Sequence, residues 1–403
     1  MIRVIEVEFY KFIRRKSFII SLILFAIIFV ASMILLMYRG VSSMDTKNYI
    51  NETKKQINLL EEQKNVGGNS KNKGYEKIIN DLKLEVKNLE MMQDESITWQ
   101  ERVKVDIKFS KDKIKRLSES PSAVEAEKGN ILLKEYYLEN NIPYDYSNKL
   151  DAFKIMPEMI YSFGFLGLFI IVGVMVVDVV AGENKPATIK FLATKPIERW
   201  KIIFAKFLVS VVLINLLILI IEIIYFIILG AIFGFGNSSL PVLAETTYTS
   251  VSPAYIDQLK SVTKPVLGST ILITQGELLI RLLIIQVLGV TACISFCLFC
   301  STIIENSGIA IGVAITSIIL TQGITLQRFA NRNYLEKSSV INKILPFLFP
   351  SYYDGRVIVD GSINDMLGVT FIDFNFVIMV LLGWIVVGYG LSHMIFIKKD
   401  IKV

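Results

Sequence analysis

The sequence predicts an all-α polytopic membrane protein with six transmembrane helices and a helical extracytoplasmic domain. Three observations carry this. Six apolar runs are each long enough to cross a hydrocarbon core of about 30 Å, which takes roughly 20 helical residues. The chain of 403 residues is 53% hydrophobic, above the roughly 45–50% of a soluble domain, and the excess is concentrated in those runs. A polar stretch of helical periodicity separates the first run from the other five.

The first segment, residues 1–38, joins an amphipathic helix to the first span. Ile2, Ile5, Phe9, Phe12 and Ile13 recur at helical spacing against Arg3, Glu6, Glu8, Lys11, Arg14 and Arg15. A basic cluster abutting an apolar block favours a helix lying in the membrane interface over a soluble leader. The span at 18–37 is longer than a signal-peptide core of roughly 7–15 residues, so it reads as a retained anchor. Length also disfavours a twin-arginine signal at Arg14–Arg15.

Residues 39–155 form the polar insert. Tyr49, Ile50, Ile57 and Leu60 mark one helix, and Gly67-Gly68-Asn69-Ser70 a turn. Ile78, Ile79, Leu82, Val86 and Leu89 mark a second helix, and Val103, Ile107, Ile114 and Leu117 a third. Ser120-Pro121 reads as a helix cap followed by proline at the first helical position. A narrow apolar seam under mixed charges predicts helical hairpins or a short coiled coil.

Residues 156–403 hold the remaining spans, near 160–180, 203–233, 278–300, 308–326 and 376–396. Residues 236–276 and 327–375 read as polar connections. Within the second, ILPFLFPSYYDG at 344–355 suits a re-entrant or interfacial element, since irregular backbone is tolerated at membrane depth only inside protein or along a cavity.

Basic residues set the orientation. Arg3, Lys11, Arg14, Arg15 and Lys16 precede span one, and Lys185, Lys190, Lys195, Arg199, Lys201 and Lys206 lie between spans two and three. Lys398, Lys399 and Lys402 end the chain. Six spans place all three groups on one side, the cytoplasm, and 39–155 outside. The opposite connection, 327–375, also carries basic residues. The net charge of +6 sits largely beside apolar blocks, so it reads as an orientation signal and calls for membrane lipids rather than nucleic acid.

Composition argues against ordinary hydrolases. There is one histidine, His393, with no pairing motif. Cys293, Cys297 and Cys300 fall in one apolar run with no histidine or carboxylate close by, which favours packing over metal ligation. No GxxxxGK[ST] phosphate loop occurs; the stretch GENKPATIK from Gly182 lacks its second glycine and its ending. The chain is therefore expected to hold no ATP or cofactor itself.

Ionisable residues inside spans are costly and often functional. Glu222 lies well inside span three, Arg281 near the outer end of span four with Gln286 deeper, and Asp178 near the inner end of span two. Glu222 is expected to pair with Arg281 or Gln286, either as part of a cation or substrate path or as a structural bond between helices.

The most informative segment is ENKPATIKFLATKPIERWKIIFAK, residues 183–206. A plain orientation loop needs only a few lysines. This one orders Glu183, Thr188, Phe191 and Leu192, a break at Pro196, then Arg199 and Lys206 as the next span opens. It resembles the signature of the type 2 ABC (ATP-binding cassette) permease superfamily, matched here by Glu183, Thr188, Leu192, Pro196, Arg199 and Lys206. It departs from that signature at Ala187, where the family has glycine, and at Lys190-Phe191. The tail FIKKDIKV resembles the basic-then-Asp tail common in that family, and the large first insert is similar to the subgroup that includes sodium-exporter and antimicrobial-peptide immunity permeases. The resemblance implies that 181–202 is a cytoplasmic coupling segment docking on a separate ATPase that binds ATP and Mg. It also implies a second permease chain, identical or related, and export across a bacterial plasma membrane. The rival is a membrane-anchored sensor or assembly protein whose insert binds a ligand. The tail after residue 396 is too short for an output domain, which counts against it.

Overall fold

The computed structural model describes residues 1–41, 46–66, 69–93, 96–117, 120–146, 149–165, 167–182, 198–251, 262–330 and 340–398. Two compact units result: Met1–Ser32 with Asp151–Val403, and Met33–Leu150.

In the first unit, α1 (Ile2–Ile13) precedes α2 (Lys16–Val41), which belongs to this unit as far as Ser32. Next come α7 (Ala152–Phe165), α8 (Leu168–Val176) and α9 (Asp178–Ala181). The long helices are α10 (Arg199–Phe233), α11 (Gln275–Ile303), α12 (Ser307–Ala330) and α16 (Phe374–Lys398). These four are long and apolar enough to cross a membrane, and shorter apolar helices occupy the places of the first two expected spans. The all-α membrane architecture is thus present. At 35 residues, α10 is about 52 Å long, more than a bilayer core requires.

The second expected span is not one helix. Pro157 lies inside α7, and Gly167 caps α8 at φ +103, a left-handed conformation that a Cβ disfavours. α7 continues through Pro157 to Phe165, so the left-handed Gly167 marks the break. Hydropathy alone is blind to it.

Burial identifies α11 as the central helix. Two thirds of its apolar stretch (67%) is buried, against 22%, 22% and 17% for α10, α12 and α16. A helix apolar all round and buried belongs to a core; one apolar all round and exposed faces lipid or another chain. Val212, Leu216, Ile220, Ile223 and Ile227 of α10 are exposed. The tightest seam runs between α11 and α16, where a Cβ on Gly388 would lie 2.9 Å from the Ser295 Cβ and 3.1 Å from its carbonyl carbon. Small residues at such seams let helix backbones approach.

Residues 340–373 fold as α13 (Val340–Ile344), two 3-10 turns at Leu345–Phe347 and Phe349–Tyr352, α14 (Gly355–Val359) and α15 (Ile363–Leu367). Phe349 is 1% exposed. Its ring sits 5.7 Å from Phe169, 5.7 Å from Phe296 and 5.4 Å from Trp384. The Trp384 indole N–H donates to the Phe347 carbonyl at 2.8 Å. This backbone is irregular: Leu345, Pro346, Phe349 and Pro350 are buried, while Ile344 and Phe347 are exposed.

The connection expected to be plain loop contains strands. β1 (Pro241–Ala244) pairs antiparallel with β4 (Ile271–Thr274), and β2 (Tyr248–Ser250) with β3 (Thr263–Pro265). Runs of three or four residues carry too little alternation to stand out in sequence.

The second unit holds α3 (Thr46–Val66), α4 (Asn69–Gln93), α5 (Trp99–Arg116) and α6 (Pro121–Glu139). Ile50 and Ile57 bury against Ile79 and Val86; Val103 and Ile107 bury against Ile131. Thr98 and Glu101 form a reciprocal cap at the start of α5. Pro121 stands at the start of α6, but Ser120 makes no side-chain capping bond there.

Candidate functional site

Five residues of the coupling set, Glu183, Thr188, Phe191, Leu192 and Pro196, lie outside the described residues. Arg199 and Lys206 are described, and both belong to the first turns of α10. The Arg199 guanidinium donates to the Ile397 carbonyl at 3.1 Å. That carbonyl is one of the last of α16, where a cation complements both the unfilled acceptors and the helix dipole.

Lys206 points inward. It is 1% exposed, and its Nζ donates to Glu8 Oε2 at 2.8 Å and to the Val179 carbonyl at 3.2 Å. Glu8 is itself 3% exposed. Lys11 lies 3.3 Å from its other oxygen, and Arg15 donates to the same Val179 carbonyl at 3.2 Å. Burying a charge costs several kcal/mol unless an opposite charge and hydrogen bonds accompany it; here both do. The pair ties α1, the end of α9 and the start of α10 together.

Neighbouring contacts lie at the same end of the bundle. Ser301 Oγ accepts from the backbone N–H groups of Val180 and Ala181 at 3.1 and 2.9 Å. The Ser307 hydroxyl donates to Asp178. Val180 and Ala181 before residues 183–197, and Arg199 and Lys206 after them, are thus hydrogen-bonded to the bundle.

Glu8 was legible only in part. It was grouped above with the polar face of α1, yet it stands three residues after Ile5 and four before Phe12, on the apolar stripe. A carboxylate on such a stripe implies a buried cation. Ile2, Val7, Phe9 and Ile13 of α1 are exposed, while Val4 and Ile5 are half-buried.

Glu222 and Gln286 meet across α10 and α11, the Gln286 amide donating to Glu222 Oε1 at 2.5 Å. They are 2% and 8% exposed. Each stands eleven residues from its helix end, about 16 Å along the axis. Glu222 Oε2 and Gln286 Oε1 have no partner among the described residues. Arg281, the other partner considered, is engaged elsewhere: it bonds Glu277 at 2.7 Å and Glu245, with its guanidinium 5.4 Å from the Phe374 ring. The three residues therefore form two separate groups. A further bond joins the same two helices, Asn215 Nδ2 to Thr291 Oγ1 at 3.3 Å.

The remaining candidates pack. Cys293 Sγ donates to the Phe169 carbonyl at 3.4 Å, and Cys297 is buried beside it at 3.9 Å. His393 Nδ1 lies 3.3 Å from the Tyr389 hydroxyl.

Exposed apolar helices around one buried helix, and an N-terminal helix ion-paired to the start of α10, define a polytopic membrane protein. The family model described as ABC-2 family transporter protein matches residues 2–401, and the chain belongs to that family. It is 26% identical over 290 residues to a protein of Bacillus subtilis (strain 168) described as uncharacterized protein YhcI, covering 71% of this chain and 80% of that one.

Proposed function

We propose that this chain is the membrane-spanning half of an ATP-driven exporter, with hydrolysis of ATP and binding of Mg in a separate ATPase subunit. Membership of a transporter family across nearly the whole chain supports this most strongly. Two permease chains, identical or related, flank the path, and the exposed apolar faces of α10, α12 and α16 suit lipid and a second permease. Both termini and residues 181–202 lie in the cytoplasm of a bacterial plasma membrane, and residues 39–155 outside. Glu183, Thr188, Phe191, Leu192 and Pro196 present the docking surface, while Arg199 and Lys206 fix the segment to the bundle. A lever works only if its inner end is held. The bonds of Lys206 to Glu8 and Val179 supply that hold, so movement of a docked ATPase reaches α1, α9 and α10 together. The exported substrate is an antimicrobial peptide, a lipid-like molecule or sodium.

The test is co-purification. A tagged chain taken from gently solubilised native membranes is expected to carry an ATP-binding cassette protein, lost on Phe191→Ala/Leu192→Ala. No ATPase in several mild detergents would remove the coupling reading and bring the sensor forward.

A further inference from the structure

At the opposite end of the bundle from Lys206 lies a cavity of about 500 Å³. We infer that it is a binding site for an organic cation, held between the carboxylates of Glu245 and Asp373 and the aromatic faces of Tyr248 and Phe371. This goes beyond transport and needs no ATPase.

The walls are built and cross-tied. The backbone N–H groups of Glu245 and Thr246 donate to the carbonyls of Val359 and Asp360 at 2.8 and 3.0 Å. Gly361, at φ +83, comes so close that a Cβ would lie 2.1 Å from the Thr246 carbonyl oxygen. Asn364 clamps the far wall, donating to the Ile372 carbonyl at 2.7 Å and accepting from its N–H at 3.0 Å. Glu245 is held at φ +56, a sparsely populated conformation for a residue with a Cβ. Strained backbone held in place by its surroundings is a recurrent mark of binding positions.

Charge selects the ligand. Among the described residues, Arg281 is the one cation in the lining, and it already bonds Glu245 and Glu277 while resting on Phe374. Asp373 spends one oxygen on the Phe376 backbone N–H at 2.7 Å. Counting Glu277 behind Arg281, carboxylates outnumber the cation among the described residues. Phe371 is 48% exposed, an apolar ring beside acidic groups. Carboxylates with aromatic faces are the chemistry that takes an ammonium with an apolar body, and the volume is that of a small-molecule site.

The probe is benzyltriethylammonium, titrated calorimetrically into the full chain in nanodiscs. Saturable binding is expected. Glu245→Gln and Phe371→Ala should each weaken it at least ten-fold, and Asp373→Asn, which keeps the helix cap, several-fold. Thr370→Trp should block it by filling the cavity. Thermal unfolding of each variant separates loss of the site from loss of the fold. No saturable binding to a folded chain overturns the inference. So does equal affinity for an uncharged analogue of the same shape, preference for benzoate, or unchanged affinity in both Glu245→Gln and Phe371→Ala.

Discussion

Two buried acids, Glu8 and Glu222, are handled in opposite ways. Glu8 meets a buried ammonium at 2.8 Å, with a second lysine at 3.3 Å. Glu222 meets only an amide, and its second oxygen has no partner among the described residues. The first is a closed pair whose purpose is fully met by holding three helices together. The second is a buried acceptor left incomplete in the middle of the apolar bundle, where every unmet polar group is expensive. The difference separates a satisfied ion pair from a buried carboxylate with one oxygen unmatched among the described residues.

The largest expected effect breaks the first. Lys206→Met leaves the buried Glu8 with only the more exposed Lys11 at 3.3 Å, and removing one member of a buried pair costs about 3–5 kcal/mol. Thermal unfolding in detergent should show a large loss, with much of it recovered in Glu8→Leu/Lys206→Met. A single variant as stable as the parent would sink that holding role.

At the second acid the loss is smaller. Glu222→Leu strands the Gln286 amide and should cost about 1–3 kcal/mol. Glu222→Gln can still accept the Gln286 hydrogen bond, so the fold should hold while substrate export by vesicles falls at least ten-fold. Unchanged export would make the pair purely structural.

A comparable loss is expected at the α11–α16 seam without any charge. Gly388→Ala drives a Cβ against Ser295, and overpacking of this kind costs about 1–3 kcal/mol. Melting should register it, and an unshifted melt would mean the helices part more easily than their spacing implies.

The smallest effect belongs to the insert. Lys54 and Glu90 bridge α3 and α4 at 2.6 Å but are 52% and 49% exposed. Solvent screening leaves such pairs about 0–1 kcal/mol, so Glu90→Ala should barely move the unfolding curve. A shift approaching that of Lys206→Met would show that exposure is the wrong guide to these pairs.

Much of the architecture was legible because hydrophobicity is a local property. The long apolar runs of α10, α11, α12 and α16, and the seam Ile50, Ile57, Ile79, Val86, are each written within one stretch of chain. The break at Gly167 and the short strands were not, because one left-handed residue or four alternating ones leave little trace in composition. The site was legible by residue type rather than by partner. Glu222 and Gln286 could be nominated as neighbours, but Arg281 was equally available until its bonds to Glu245 and Glu277 were placed.

The sequence by itself determined that the chain enters a membrane, that a charged helical insert follows its first span, and which polar residues stand among apolar ones. Each follows from the transfer cost of side chains and the helical repeat. Only the tertiary structure decided that Lys206 faces Glu8 across nearly two hundred residues of chain, that α11 is central while α10 faces outward, and that Phe349 packs among Phe169, Phe296 and Trp384. Those outcomes depend on which helix faces meet, and contact between distant segments is set by packing of the whole bundle rather than by any local pattern.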